Sequence, residues 1–198
     1  MNKLQRDTQF LYEIGCLRHI QRTWKQFLNP DFANLSEHTL RVIWIALAIA
    51  QYEKKVDTGK LVKMALTHDL SESRGVDVHY VSREFVERHE DKAFQATVKD
   101  TSLQQELNEL ISEYEAHQSL EAKIVKDADN LDVDFELQEQ TVRGFTLSQK
   151  FASMRKQVRD KKLYTKTAQK MWDEIYNSDP HDWHWQSTNR FNSGDWKL

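Results

Sequence analysis

The side chains with the most chemical potential fall in three stretches. They are His38 in "NLSEHTLRV", the pair His68-Asp69 in "ALTHDLSESRGVD", and the acidic run "KDADNLDVD" at residues 126–134. Imidazole nitrogens and carboxylate oxygens are ligands for divalent first-row metals. Two common zinc arrangements are missing. There is no His-Glu-x-x-His pair, and the lone Cys16 cannot build a cysteine-rich site. A mixed imidazole and carboxylate set suits Mn, Co, Fe, Ni or Zn, and leaves positions open for water and substrate, as catalysis requires. Each stretch alone has a plainer reading. A single histidine is usually structural or solvated, and acids at a helix start are favoured by the helix dipole. The joint pattern points further. His38 lies at the mouth of the apolar run "VIWIALAIA", His68-Asp69 at the end of another helix, and Asp129 follows "KIV". Helix ends of this kind can converge on one cavity while their apolar bodies form the core.

The elements that must position these groups read as helices. Gly occurs five times and Pro twice in 198 residues, and Leu, Gln, Glu, Lys and Ala abound, so the chain is expected to be all-α. Helices are expected over residues 4–28, 37–54 with Ser36 as N-cap, and from Asp57 or Thr58 to about residue 70. Further helices are expected over 81–98, 102–117, 119–143 and 148–177, the last breaking near Lys161–Tyr164. Leu61, Ala65, His68 and Glu72 share one face at helical spacing. A looser segment runs from Arg74 to His79, with Gly75 as its pivot.

Bulk properties exclude several classes. The net charge of −3 makes no electrostatic case for nucleic acid or an anionic membrane. Residues 42–50 are too few to span a bilayer. The N-terminal "MNKLQRDTQFLYEIG" lacks the apolar core of a signal peptide, and one cysteine precludes an intramolecular disulfide framework. A cytoplasmic protein is expected.

In order and spacing, the stretches "NLSEHTLRV", "ALTHDLSESRGVD" and "EAKIVKDADNLD" resemble the HD-domain superfamily of metal-dependent phosphohydrolases, and its 5′-deoxynucleotidase-like branch more closely. The resemblance covers about residues 18 to 140. It implies a compact bundle of about six to eight helices around one divalent metal held by His38, His68, Asp69 and Asp129, with Asp127 and Asp132 as alternatives to the last. It implies a catalytic role for Glu72 and a place for Asp77 near the substrate sugar or the attacking water. The branch carries an Arg beside a Trp that touch phosphate and sugar. Here "RHIQRTWKQF" offers Arg22 and Trp24, with Thr23 where the best-known members have Arg, and Arg18 one turn earlier as a rival. Arg74, His79 and Arg83 follow the metal helix, and Arg suits forked phosphate binding.

The function implied is release of phosphate from a nucleoside or deoxynucleoside 5′-monophosphate through a metal-activated water. The alternatives are hydrolysis of a cyclic or alarmone nucleotide, and a non-catalytic nucleotide-sensing or scaffold role. Residues 1–178 would form the HD domain. Residues 179–198 would form an aromatic tail, with Trp183, Trp185, Phe191 and Trp196, packed on the domain or on the partner of a homodimer.

Overall fold

The computed structural model describes residues 2–28 and 31–185. Helices make up the regular structure of these residues, with one isolated antiparallel bridge between Gln21 and Asn34. The α-helices are α1 (Lys3–Gly15), α2 (Leu35–Ala50), α3 (Thr58–Thr67), α4 (Glu72–Gly75), α5 (Glu90–Val98), α6 (Gln104–Ala116), α7 (Leu120–Val142), α8 (Ala152–Lys161), α9 (Lys166–Asn177) and α10 (Asp182–Trp185). Among the described residues no helix is long and apolar enough to cross a membrane.

The central packing unit is α2 against α7, with α3 across both. Val42, Ile45 and Ile49 of α2 meet Leu61 and Met64 of α3 and Ile124, Val125 and Leu131 of α7, all buried. A second apolar cluster joins Phe10, Leu17, Leu35, Leu70, Phe94 and Val98, tying α1 and α5 to the loop after α3. These two clusters leave the start of α2, the end of α3 and the middle of α7 free to meet around polar side chains.

Local hydrogen bonds set the helix starts. The α2 N-cap is Asn34, not Ser36. Asn34 accepts from the Glu37 N–H at 3.1 Å, and its own N–H donates to Glu37 Oε2 at 2.9 Å. This reciprocal box begins the helix earlier than the serine would. Asp57 caps α3 by accepting from the Lys60 N–H at 2.9 Å. The break between α8 and α9 falls at 162–165. There the buried Asp127 carboxylate of α7 accepts from the Tyr164 and Thr165 N–H groups at 2.7 and 2.8 Å.

Three expected helices are shorter than the composition implied. The segment after Gly15 becomes two short 3-10 turns, Cys16–His19 and Thr23–Gln26. Long-range bonds win there: the Leu35 N–H reaches Ile20 O at 2.8 Å and the Thr23 N–H reaches Asp77 Oδ2 at 2.9 Å. The α3 helix ends at Thr67, with His68 as its cap, and bonds from Leu70 to Thr67 and from Glu72 to Asp69 tighten the chain into α4. The expected helix from 81 begins only at Glu90, because the Ser82 N–H and hydroxyl bond the His79 ring and Arg83 Nε bonds Val78 O. The pivot is also displaced by one residue. The left-handed conformation falls on Val76, at φ 52°, rather than on Gly75. A β-branched residue is strained there, and the turn lies between Glu72 and Asp77.

Candidate metal centre and substrate cavity

His38 sits in the first turns of α2, fully buried. Its Nδ1 lies 2.6 Å from Asp132 Oδ2 on α7. A carboxylate accepts but cannot donate, so Nδ1 carries the hydrogen and Nε2 presents a lone pair. His68, at the end of α3, repeats the arrangement with a backbone acceptor, its Nδ1 lying 2.7 Å from Ala65 O. Both Nε2 atoms are buried without a hydrogen-bond partner. Each lies 3.3 Å from Asp69 Oδ2, and His38 Nε2 is also 3.5 Å from Asp129 Oδ1.

Two imidazole lone pairs and two carboxylates therefore converge with no donor among them. Acceptors repel at such distances unless a cation or proton lies between. The local electrostatics record the same demand. Burial and the Arg22 charge oppose charging of His38, yet the Asp129, Asp132 and Asp69 carboxylates around its ring outweigh them and raise its pKa well above the ordinary value. Burial opposes ionisation of Asp69, but His68 and His38 outweigh it and hold the carboxyl well below its usual range. Desolvation opposes ionisation of the half-buried Asp129 too, and Lys126 with His38 holds it low. Among the described residues, His38, His68 and Asp69 present ligand atoms within 4.8 Å of one another. Asp129 joins them through His38. Tautomers locked by Asp132 and Ala65 are what a metal-binding imidazole requires, so this residue set fits one divalent cation.

The centre opens into a cavity of about 830 Å³. Glu72, Asp77, Arg22, Arg83, Arg88, Tyr114, His117 and Lys126 are among its walls. Glu72 is buried, and burial together with Asp69 and Asp77 pushes its carboxyl up to about 8 against the pull of Arg22 and Arg88. Arg22 Nη1 stands 3.5 Å from Asp69 Oδ2, and its Nε is 3.9 Å from Asp77 Oδ2. Thr23, which stands where the branch's best-known members have Arg, anchors Asp77 through its N–H at 2.9 Å and its hydroxyl at 3.2 Å. Trp24 lines an adjoining hollow of about 140 Å³ with Phe27, His79 and Tyr80, and meets Phe151 edge-on at 5.3 Å.

Thus His38, His68, Asp69, Asp129, Glu72, Asp77 and Arg22 come together, with Trp24 beside them. Arg18 and Arg74 do not. Arg18 is exposed against the His19 ring at 3.1 Å. Arg74 is clamped to Glu13 of α1 at 2.6 and 2.9 Å. His79 bonds Ser82 rather than joining the centre. Asp132 is the residue that spacing could have assigned a distinct role, since it lies three positions after Asp129 on the same helical face. Lys126, which donates to Asp129 Oδ2 at 2.8 Å, and Arg88 were also missed.

The model of the HD domain family matches residues 14–172. The chain belongs to the HD-domain family. As an HD domain it is similar to 5′-deoxynucleotidase HDDC2 of Danio rerio, with 32% identity over 133 residues, 63% of this chain and 64% of that protein. The Bos taurus protein of the same name is 31% identical, with 63% of each chain covered. The chain thus spans just under two thirds of these relatives' length. A conserved hypothetical protein from Pyrococcus furiosus superposes with a TM-score of 0.72 at 25% identity, covering 86% of this chain and 99% of that one. A predicted metal-dependent phosphohydrolase from Magnetospirillum magnetotacticum MS-1 shares the fold at a TM-score of 0.63 and 22% identity, covering 88% and 94%.

Proposed function

We propose that this HD domain is a metal-dependent phosphohydrolase that releases phosphate from nucleoside or deoxynucleoside 5′-monophosphates. The observation that carries the reading is the pair of buried, unpartnered Nε2 atoms of His38 and His68 facing Asp69, at the floor of a cavity walled by Glu72 and Arg22. The similarity to 5′-deoxynucleotidase HDDC2 supports the substrate class.

A divalent cation held by His38, His68, Asp69 and Asp129 would supply positive charge that acidifies a water and polarises a phosphoryl oxygen. The chain's own residues do the rest. Asp132 and Ala65 O fix both imidazoles in the ligating tautomer. Arg22 is pinned between Asp69 and Asp77, which aims its guanidinium at the cavity. Burial together with Asp69 and Asp77 pushes the Glu72 carboxyl up to about 8, which suits it to carry a proton. That proton can pass from the Glu72 carboxyl to the leaving 5′ oxygen as the P–O bond breaks. Trp24 offers its ring to sugar or base at the edge of the cavity.

Phosphate release from a panel of 5′-monophosphates, with Mn or Co supplied, tests the reading. Release from at least one member is expected, and His68→Ala should abolish it. No release from any member would refute it.

A further inference from the structure

The cavity has an unusual charge balance for a site that must hold a phosphate. Asp69, Glu72, Asp77 and Asp129 all line it, and an anion is repelled by each one that is ionised. The cations on its wall are mostly committed. Arg22 is engaged with Asp69 and Asp77. Lys126 donates to Asp129. Arg83 gives its Nε to Val78 O and stands more than half in solvent.

Arg88, in the segment "ERHED" just before α5, differs. Its side chain is 18% exposed, yet its Nε is buried with no hydrogen-bond partner. Its Nη2 contacts Glu90 Oε1 at 2.7 Å and lies 3.7 Å from Glu72 Oε1, beyond hydrogen-bond reach. Glu90 is half exposed and can be released to water at little cost. On the facing side, Glu72 Oε2 is also buried without a partner. Two side chains on the cavity wall, 3.7 Å apart between Arg88 Nη2 and Glu72 Oε1, thus each keep one buried polar atom unsatisfied. Leaving such groups unpaired costs free energy that a ligand recovers.

We propose that Arg88 is a phosphate-binding residue, donating from Nε to a non-bridging phosphate oxygen beside Glu72. The inference rests on the phosphohydrolase reading above and deepens it. Arg88 adds a second guanidinium to that of Arg22, whose charge is shared with Asp69 and Asp77. A phosphate seated there meets Glu72 on the same side, so anion binding and proton delivery share one wall.

The test is calorimetric titration of inorganic phosphate into the Mn-loaded full-length protein, wild type against Arg88→Gln and Arg88→Lys. Metal content and nucleotide turnover are followed in parallel. Loss of one charge-assisted bond is expected to weaken phosphate binding about ten-fold or more in Arg88→Gln, with metal content unchanged. Arg88→Lys, which keeps the charge but not the fork, should recover part of the loss. A folded, metal-loaded Arg88→Gln that binds phosphate within about two-fold of wild type overturns the proposal. So does a lowered melting temperature with unchanged phosphate affinity, which marks a merely structural ion pair. If Arg88→Gln does not fold, Arg88→Lys decides, and affinity equal to wild type overturns the proposal. Unchanged phosphate affinity in a variant of a wild type that turns over nucleotides removes the Arg88 assignment alone. A wild type that releases no phosphate from any nucleotide removes the hydrolase reading and this assignment with it.

Discussion

At the scale of the residue, the metal centre depends on imidazoles whose tautomers are fixed from behind. Asp132→Asn replaces a pure acceptor by a group that can also donate to Nδ1, which lets His38 turn its hydrogen towards the ligand side. Metal affinity should fall roughly 10- to 100-fold, measured by competition with a chelator, and an unchanged affinity would show that Asp132 does not orient His38. Glu72 makes a prediction with a definite sign. Its carboxyl is pushed up to about 8, and a proton donor works only while protonated. The turnover rate should therefore fall as pH rises through that value. Positive charge at the ligands would shift the limb downward, towards neutrality. Glu72→Gln should remove the limb together with most of the rate, and a rate that instead rises through this range would reverse the assigned role. His38, His68 and Asp69, which come together in the structure, were legible in the sequence because they sit at the ends of apolar helices. Asp129 could be chosen among its acidic neighbours only through the family resemblance. Arg74 was misplaced because its partner, Glu13, comes from α1, 61 positions away in sequence, which no local pattern reveals. Arg88 was missed because it lies in a segment that composition assigned to a helix and that folds as a loop.

At the scale of the element, α7 is the spine, and Asp127 shows how it organises its neighbours. The carboxylate is buried and takes three hydrogen bonds from Tyr164 and Thr165, so it starts α9 from a distance. Asp127→Ala would strand those donors and should lower stability by about 2–4 kcal/mol in urea unfolding, with little change in metal content. Its titration gives a second signature. Burial raises the Asp127 pKa from 3.8 to about 6. A raised folded-state pKa contributes stability that is present below the unfolded value and lost as pH rises through the folded one. The stability gap between wild type and Asp127→Asn should therefore narrow between about pH 4 and 7. A constant gap would mean that Asp127 titrates normally. The long α7 and the break before α9 could be read from pattern and caps. The turns between Gly15 and Asn34 could not, since Ile20, Arg22 and Thr23 take their backbone partners from Ala33, Leu35 and Asp77. Those bonds exist only once the chain has folded, and they override the local preference for helix.

At the scale of the whole molecule, the centre is a shared load on three helices. Acceptors from α2, α7 and the end of α3 face one another with Arg22 and Lys126 at their flanks, and a cation binding them stabilises only the folded state. At a hundred-fold excess over its dissociation constant, such an ion contributes about 2.7 kcal/mol. For a chain of this size, Mn should raise the melting temperature by about 5–10 °C and a chelator should reverse the gain. Arg74 provides the contrast. It joins α4 to α1 at the surface, so Arg74→Ala should change stability by no more than about 1 kcal/mol and leave turnover intact. Trp183 and Trp185 are exposed on α10, while Phe191 and Trp196 lie outside the described residues.

The most direct test strips the protein with a chelator and returns Mn or Co, one at a time, while phosphate release from 5′-monophosphates is followed. The account expects no release from the stripped protein, restored release on return of a metal, and none with either metal in His68→Ala. Undiminished release from the stripped protein, or no release after any metal is returned, would contradict it.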